Sequence, residues 1–230
     1  MTVFKWPVVP LCDAQLKDIR PEDILNNGLY RKCDIYRGGG GYDKFPSIYK
    51  KYYNKDLNPV QFVVQLKGCP LKCPYCYVTN KGVFGDAVEV NTKDLLAAYV
   101  ESGLEVFHLM GGAPALYLEH WKDLANNVKV FHSDFLLVEK PYNSIWLKDL
   151  PGLHAVSIKE SYLYNDTQKE LLWKNLFKLH NTYINWYFTF TGNCDDMKEQ
   201  IAKKYGYFSL DQSFDIEIKE YDALKHTKIN

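Results

Sequence analysis

Cys69, Cys73 and Cys76 crowd into one short segment, Gly68-Cys69-Pro70-Leu71-Lys72-Cys73-Pro74-Tyr75-Cys76-Tyr77, with the spacing C-x3-C-x2-C. Three thiolates on one loop can converge on a single metal centre, and Gly68, Pro70 and Pro74 favour a bent backbone. A structural zinc site is normally closed by four ligands. Here no fourth cysteine or nearby histidine completes the set, the closest candidate being His108 in the next expected strand. A cubane 4Fe–4S cluster held by three cysteines has a different consequence. One iron keeps an open position that a small molecule can chelate.

A second segment, Met110-Gly111-Gly112-Ala113-Pro114, also has chemical potential. Its plain reading is a strand-to-helix turn, with Pro114 starting the helix. Its functional reading is that glycines without side chains let backbone carbonyls approach an ammonium group. Further along, Ser157 can bond a hydroxyl, and Lys159 can pair with a carboxylate as a point charge. Both equally suit an ordinary solvated strand end. Thr191 and Asn193 are weaker candidates of the same kind. Glu139 reads as a solvated strand-end carboxylate. The histidines, His108, His120, His132, His154, His180 and His226, form no ligand-spaced pair and read as structural. Cys12, Cys33 and Cys194 share no local motif and read as plain thiols. Arg37-Gly38-Gly39-Gly40-Gly41-Tyr42 lacks the Gly-Lys-Ser/Thr ending of a phosphate loop, so it reads as a flexible loop, with a lid as the functional alternative.

The elements that must position these residues follow from hydrophobic periodicity. Val60–Leu66 is β-branched and mostly apolar, the pattern of a buried strand. A helix is expected from Thr92, capped by Asn91 or Thr92 and closed by Gly103. Further strands are expected at Val106–Met110, Phe135–Val138, Ala155–Ile158, Asn185–Thr191 and Phe214–Ile218. Helices are expected after Pro114, at Ile145–Leu150, Gln168–Leu179 and Asp196–Tyr205. Six strands alternating with helices imply parallel βαβ units. A closed barrel of eight units needs about 250 residues, more than Val60 to Asn230 provides. The chain is therefore an incomplete barrel with an open side, or an open doubly wound sheet. In both, a site belongs at the carboxyl ends of the strands. The cysteine loop and the glycine turn fall there, after the first two strands.

Composition narrows the function classes. Hydrophobic residues make up 47% of the chain, enough for a real core. Lys plus Arg and Asp plus Glu are both 28, so the formal charge is zero. That leaves no basic footprint for nucleic acid and no polybasic anchor. No run of about 18 apolar residues appears, so a membrane role is not expected. The N-terminus shows no secretory pattern. A cytoplasmic protein is expected, in which the six cysteines are metal ligands, catalysts or plain thiols sooner than disulfides.

The loop after the first strand, its spacing, and the aromatic Tyr75 before the third cysteine resemble the radical S-adenosylmethionine superfamily. The resemblance covers about residues 60–230 and implies an α/β fold, a partial (β/α)6 TIM-like barrel. Residues 1–59 would be an N-terminal extension elaborating the substrate side. It implies that Cys69, Cys73 and Cys76 hold a 4Fe–4S cluster, whose fourth iron is chelated by S-adenosyl-L-methionine. One electron would then cleave the sulfonium to a 5′-deoxyadenosyl radical that takes hydrogen from substrate. Tyr75 would lie beside the adenine. The family's Gly-Gly-Glu-Pro turn is matched at Gly111, Gly112 and Pro114, while Ala113 replaces the usual Glu, so a carboxylate contact to the amino group is lost. Ser157, Lys159 and Asn193 would complete the cofactor's surroundings. An electron donor such as flavodoxin or ferredoxin is the implied partner. The favoured substrate is a peptide or protein, through modification or glycyl-radical activation. A small metabolite or nucleotide is the alternative, and a non-catalytic iron–sulfur or zinc protein is the competing class.

Overall fold

The computed structural model describes residues 4–11, 16, 19–34, 60–76, 85–210 and 213–216. The glycine run Gly38–Gly41, Cys12 and His226 lie outside them.

The chain is α/β. Its main sheet begins with β2 (Ile24–Leu25), β3 (Tyr30–Asp34) and β4 (Val60–Gln65), the first two antiparallel to their neighbours. β6 (Val106–Met110), β7 (Val130–Phe135), β8 (Leu153–Lys159), β9 (Asn185–Thr191) and β10 (Ser213–Ile216) then add one after another, all parallel. The order β2-β3-β4-β6-β7-β8-β9-β10 contains no reversal among the parallel strands. A separate ribbon pairs β1 (Lys5–Val8) with β5 (Val88–Asn91).

Helices fill the crossovers: α1 (Thr92–Ser102), α2 (Trp121–Ala125), α3 (Ser144–Leu147), α4 (Asp166–His180) and α5 (Asp195–Tyr205). The ends of α1 are as its sequence implies. Asn91 Oδ1 accepts from the Asp94 amide at 2.8 Å, and Gly103 closes the helix with φ 68°. The segment after Pro114 starts as a 3-10 helix to His120 before α2 takes over.

Strand pleating separates two different faces. Phe62, Val64, Phe107, Leu109, Phe131, Val156, Phe188 and Phe190 join one buried core with Leu95, Tyr99, Trp121, Leu172, Leu176 and Ile201 from the helices. Sequential parallel strands joined by right-handed crossovers place their helices on one side, as this packing requires. The alternate residues form a second face that is also buried but polar, with Gln61, Gln65, His108, His132, Thr189 and Thr191 each less than a tenth exposed. A fully covered parallel sheet is ordinarily apolar on both sides. This one is not.

Several expectations need correction. The third parallel strand runs Val130–Phe135, not Phe135–Val138. Its polar His132, Ser133 and Asp134 interrupt the apolar run that marks a buried strand, whereas Leu136–Val138 form a buried turn in which Leu137 adopts φ 67°. The helix expected at Ile145–Leu150 is a single turn starting at Ser144. β1, β2, β3 and β5 had no clear periodicity, being too short to repeat a pattern. The described part of residues 1–59 is woven into the molecule: Trp6, Val8 and Tyr30 lie in the same core, and β3 continues the sheet beside β4. Among the described residues no helix is long and apolar enough to cross a membrane.

Candidate cofactor site

The cysteine loop leaves β4 at Leu66, whose amide donates to the Met110 carbonyl at 3.1 Å. Gly68 turns the chain with φ 93°, and Cys76 N bonds back to Cys73 O at 3.2 Å. All three thiols are partly buried and none is in a disulfide. Tyr117 donates to the Lys67 carbonyl at 2.8 Å, and Gln168 Nε2 at the start of α4 donates to the Pro70 carbonyl at 3.0 Å. The loop is thus held from both sides.

Its contact with the glycine turn is closer still. Ala113 N donates to Gly68 O at 2.7 Å. Gly111 and Gly112 have φ 73° and 55°, and a Cβ on Gly112 would lie 2.4 Å from the Leu66 carbonyl oxygen and 2.5 Å from that of Gly68. Only glycine lets these two backbones meet. Ala113, which stands where a carboxylate was looked for, is wholly buried in the core, so this position packs instead of presenting a charge.

The ends of β8 and β9 supply the facing side. Lys159 Nζ donates to Thr191 Oγ1 at 2.9 Å, and Ser157 Oγ lies 3.0 Å from Thr189 Oγ1. Tyr75 reaches across from the cysteine loop, its hydroxyl donating to Thr191 O at 3.4 Å. Asn193 is exposed. Its amide donates to Glu160 Oε1 at 3.2 Å, and its side chain accepts from Asp195 N at 3.3 Å, at the start of α5. Glu160 itself packs so closely that a Cβ on Gly192 would lie 2.5 Å from its carboxyl carbon. This carboxylate, tied to the Tyr162 hydroxyl as well, was not singled out from sequence. The only available signal was its position one residue past a strand end.

Electrostatics couples the same groups. Burial pushes the Cys69 thiol up to about 12, with Cys73, Cys76 and Glu139 adding to the rise. Burial also raises Cys73, and Lys159 opposes that rise. Burial of Tyr75, reinforced by Cys73 and Glu160, keeps its hydroxyl neutral. Glu139 is not a solvated carboxylate. It is partly buried, accepts from Leu136 N and Tyr142 Oη at 2.7 Å each, and burial raises it above the ordinary carboxylate range.

The three cysteines do not bring their sulfurs within the mutual distance of one ion's ligands. A cubane spaces its thiolates more widely, because each binds a different iron. Lys159 brings positive charge to Cys73. Cys194, by contrast, is buried beneath the turn after β9, its Sγ directed at the Thr191 carbonyl at 3.3 Å. Cys33 sits on β3. Neither belongs to the loop.

The structure also brings two histidines together. His108 and His132 are far apart in sequence, yet their ring centroids are 4.0 Å apart on adjacent strands, and Asp134 joins them. Their register as direct neighbours in the sheet brings them together. No spacing rule along one chain segment could have found them. No protein-family model and no curated protein matches this chain.

Proposed function

We propose that the chain is a radical S-adenosylmethionine enzyme built on a partial (β/α)6 barrel. The single observation that carries this reading is the junction of two loops. A C-x3-C-x2-C loop and a Gly-Gly turn, following adjacent parallel strands, are bonded through Ala113 N and Gly68 O at 2.7 Å. The unreversed strand order and the polar second face support the barrel architecture.

In this reading Cys69, Cys73 and Cys76 hold a 4Fe–4S cluster, with S-adenosyl-L-methionine on the iron that they leave open. When bound, the cluster supplies the electron that cleaves the sulfonium and generates the radical that abstracts hydrogen from substrate. The chain's own part is positioning. The left-handed conformation of Gly111 and Gly112 frees the turn's backbone for the cofactor's amino group. Lys159, bonded to Thr191, offers its charge to the carboxylate. The Tyr75 ring lies toward the end of β9 for the adenine. Ser157 and Asn193 are the remaining polar contacts. With Ala113 packed in the core, the amino group depends on backbone carbonyls alone.

The favoured substrate is a peptide or protein that enters at the strand ends, and the electron comes from a flavodoxin or ferredoxin. Zero net charge and the absence of a basic footprint disfavour nucleic acid. Anaerobic reconstitution with iron and sulfide, followed by dithionite and S-adenosylmethionine, tests the reading. The enzyme should turn brown and release 5′-deoxyadenosine, and Cys73→Ala should abolish release while Cys33→Ala does not. A colourless chain, or release retained by Cys73→Ala, would sink it.

A further inference from the structure

The second cluster of ligating side chains lies away from the cysteines, on the polar face of the sheet. His108 and His132 occupy matched positions on β6 and β7, and Asp134 stands one pleat further along β7. One ligand atom from each lies within 4.8 Å of the other two. His108 is the informative member. Its side chain is 9% exposed, and its Nδ1 lies 2.7 Å from Gln61 Oε1. Since a carboxamide oxygen only accepts, Nδ1 carries the proton, and in the neutral ring the lone pair is on Nε2. That buried Nε2 has no hydrogen-bond partner among the described residues. It faces Asp134 Oδ2 at 3.8 Å, too far for a hydrogen bond. Two ligands about 2.0–2.1 Å from a tetrahedral zinc sit roughly 3.4 Å apart. The gap therefore suits a shared cation. Tyr187 Oη, 3.0 Å from His132 Nε2, orients the second ring, as outer partners of metal-bound imidazoles do.

We propose that His108, His132 and Asp134 form a mononuclear site for a borderline divalent cation, zinc or ferrous iron, with Gln61 and Tyr187 as its positioning partners. Two imidazoles and one carboxylate are a donor set for these ions that leaves coordination positions open to a small ligand. Arg31 of β3 directs Nη2 to Met110 Sδ at 3.5 Å, one pleat nearer the strand ends than His108. This site does not depend on the function proposed for the cysteine loop.

The test uses the full-length chain with Cys69, Cys73 and Cys76 changed to Ser, so that the clustered thiolates contribute nothing. Titrated anaerobically with cobalt(II), it should bind one equivalent with d–d bands and no thiolate charge-transfer band, displaced by zinc. His108→Ala and Asp134→Asn should abolish that signal, and Gln61→Leu should weaken binding about 10–100-fold. In the unaltered chain, zinc should raise the melting temperature, and Asp134→Asn should remove the rise. Absence of cobalt binding in the folded triple-serine chain, or unchanged affinity in Asp134→Asn, would overturn the site. Neither result bears on 5′-deoxyadenosine release.

Discussion

Gly112 sits where the two loops touch, with the Leu66 and Gly68 carbonyl oxygens occupying the space a methyl group would need. Its φ of 55° adds a backbone cost of about 1–2 kcal/mol for any L side chain. Gly111, by contrast, would press only on the Gln65 side chain, at 3.1 Å. Gly112→Ala is therefore expected to lower stability by at least about 2 kcal/mol and, on the function proposed above, to reduce iron retained after reconstitution, with Gly111→Ala milder on both counts. Urea midpoints and iron analysis decide; equal effects would show that the close approach is not the cause. Legibility at this scale was mixed. Cys69, Cys73 and Cys76 stood out because a local loop needs no tertiary partner to be recognised. Glu139 was misjudged because only the turn through Leu137 reveals that it is partly buried.

At the scale of elements, α4 shows how a helix start can serve a distant loop. Asn165 and Gln168 form a reciprocal capping box, and the Gln168 amide also reaches Pro70 O. Asn165→Ala should cost about 1 kcal/mol, the usual loss of a cap. Gln168→Ala should, in addition, speed amide hydrogen exchange in residues 69–76, because it cuts a tie to the cysteine loop. Similar exchange in both variants would mean that the tie is inconsequential. The amphipathic helices and most parallel strands were readable from their apolar spacing. β7 was displaced because its inward residues are His132 and Asp134, polar side chains that serve the second face.

For the whole molecule, the first strand is as much core as any later one. Trp6 is fully buried and its indole donates to Thr92 Oγ1 at 3.0 Å. The core also sets the pH response. His154 is enclosed by Trp121, Phe131 and Phe135, and burial pushes it down to about 3. Unfolded, the same histidine titrates near its ordinary value, about 6.5. Its contribution is therefore complete above about pH 6.5 and is lost as pH falls toward 3, at roughly 1.4 kcal/mol per pH unit. His154→Phe should flatten the acid limb of stability by that slope, read from urea midpoints at pH 7 and pH 5. An unchanged slope would remove His154 from the account.

What the sequence determined by itself was local: cysteine spacing, glycine turns, caps and the apolar stripes that make helices and parallel strands. These depend on neighbours a few residues away. What only the tertiary structure decided was everything set by strand register: the polar second face, the packing of Ala113, the weaving in of Trp6, and the meeting of His108 with His132. Register joins residues that the chain keeps far apart, and no periodicity along one segment encodes which strand will lie beside it.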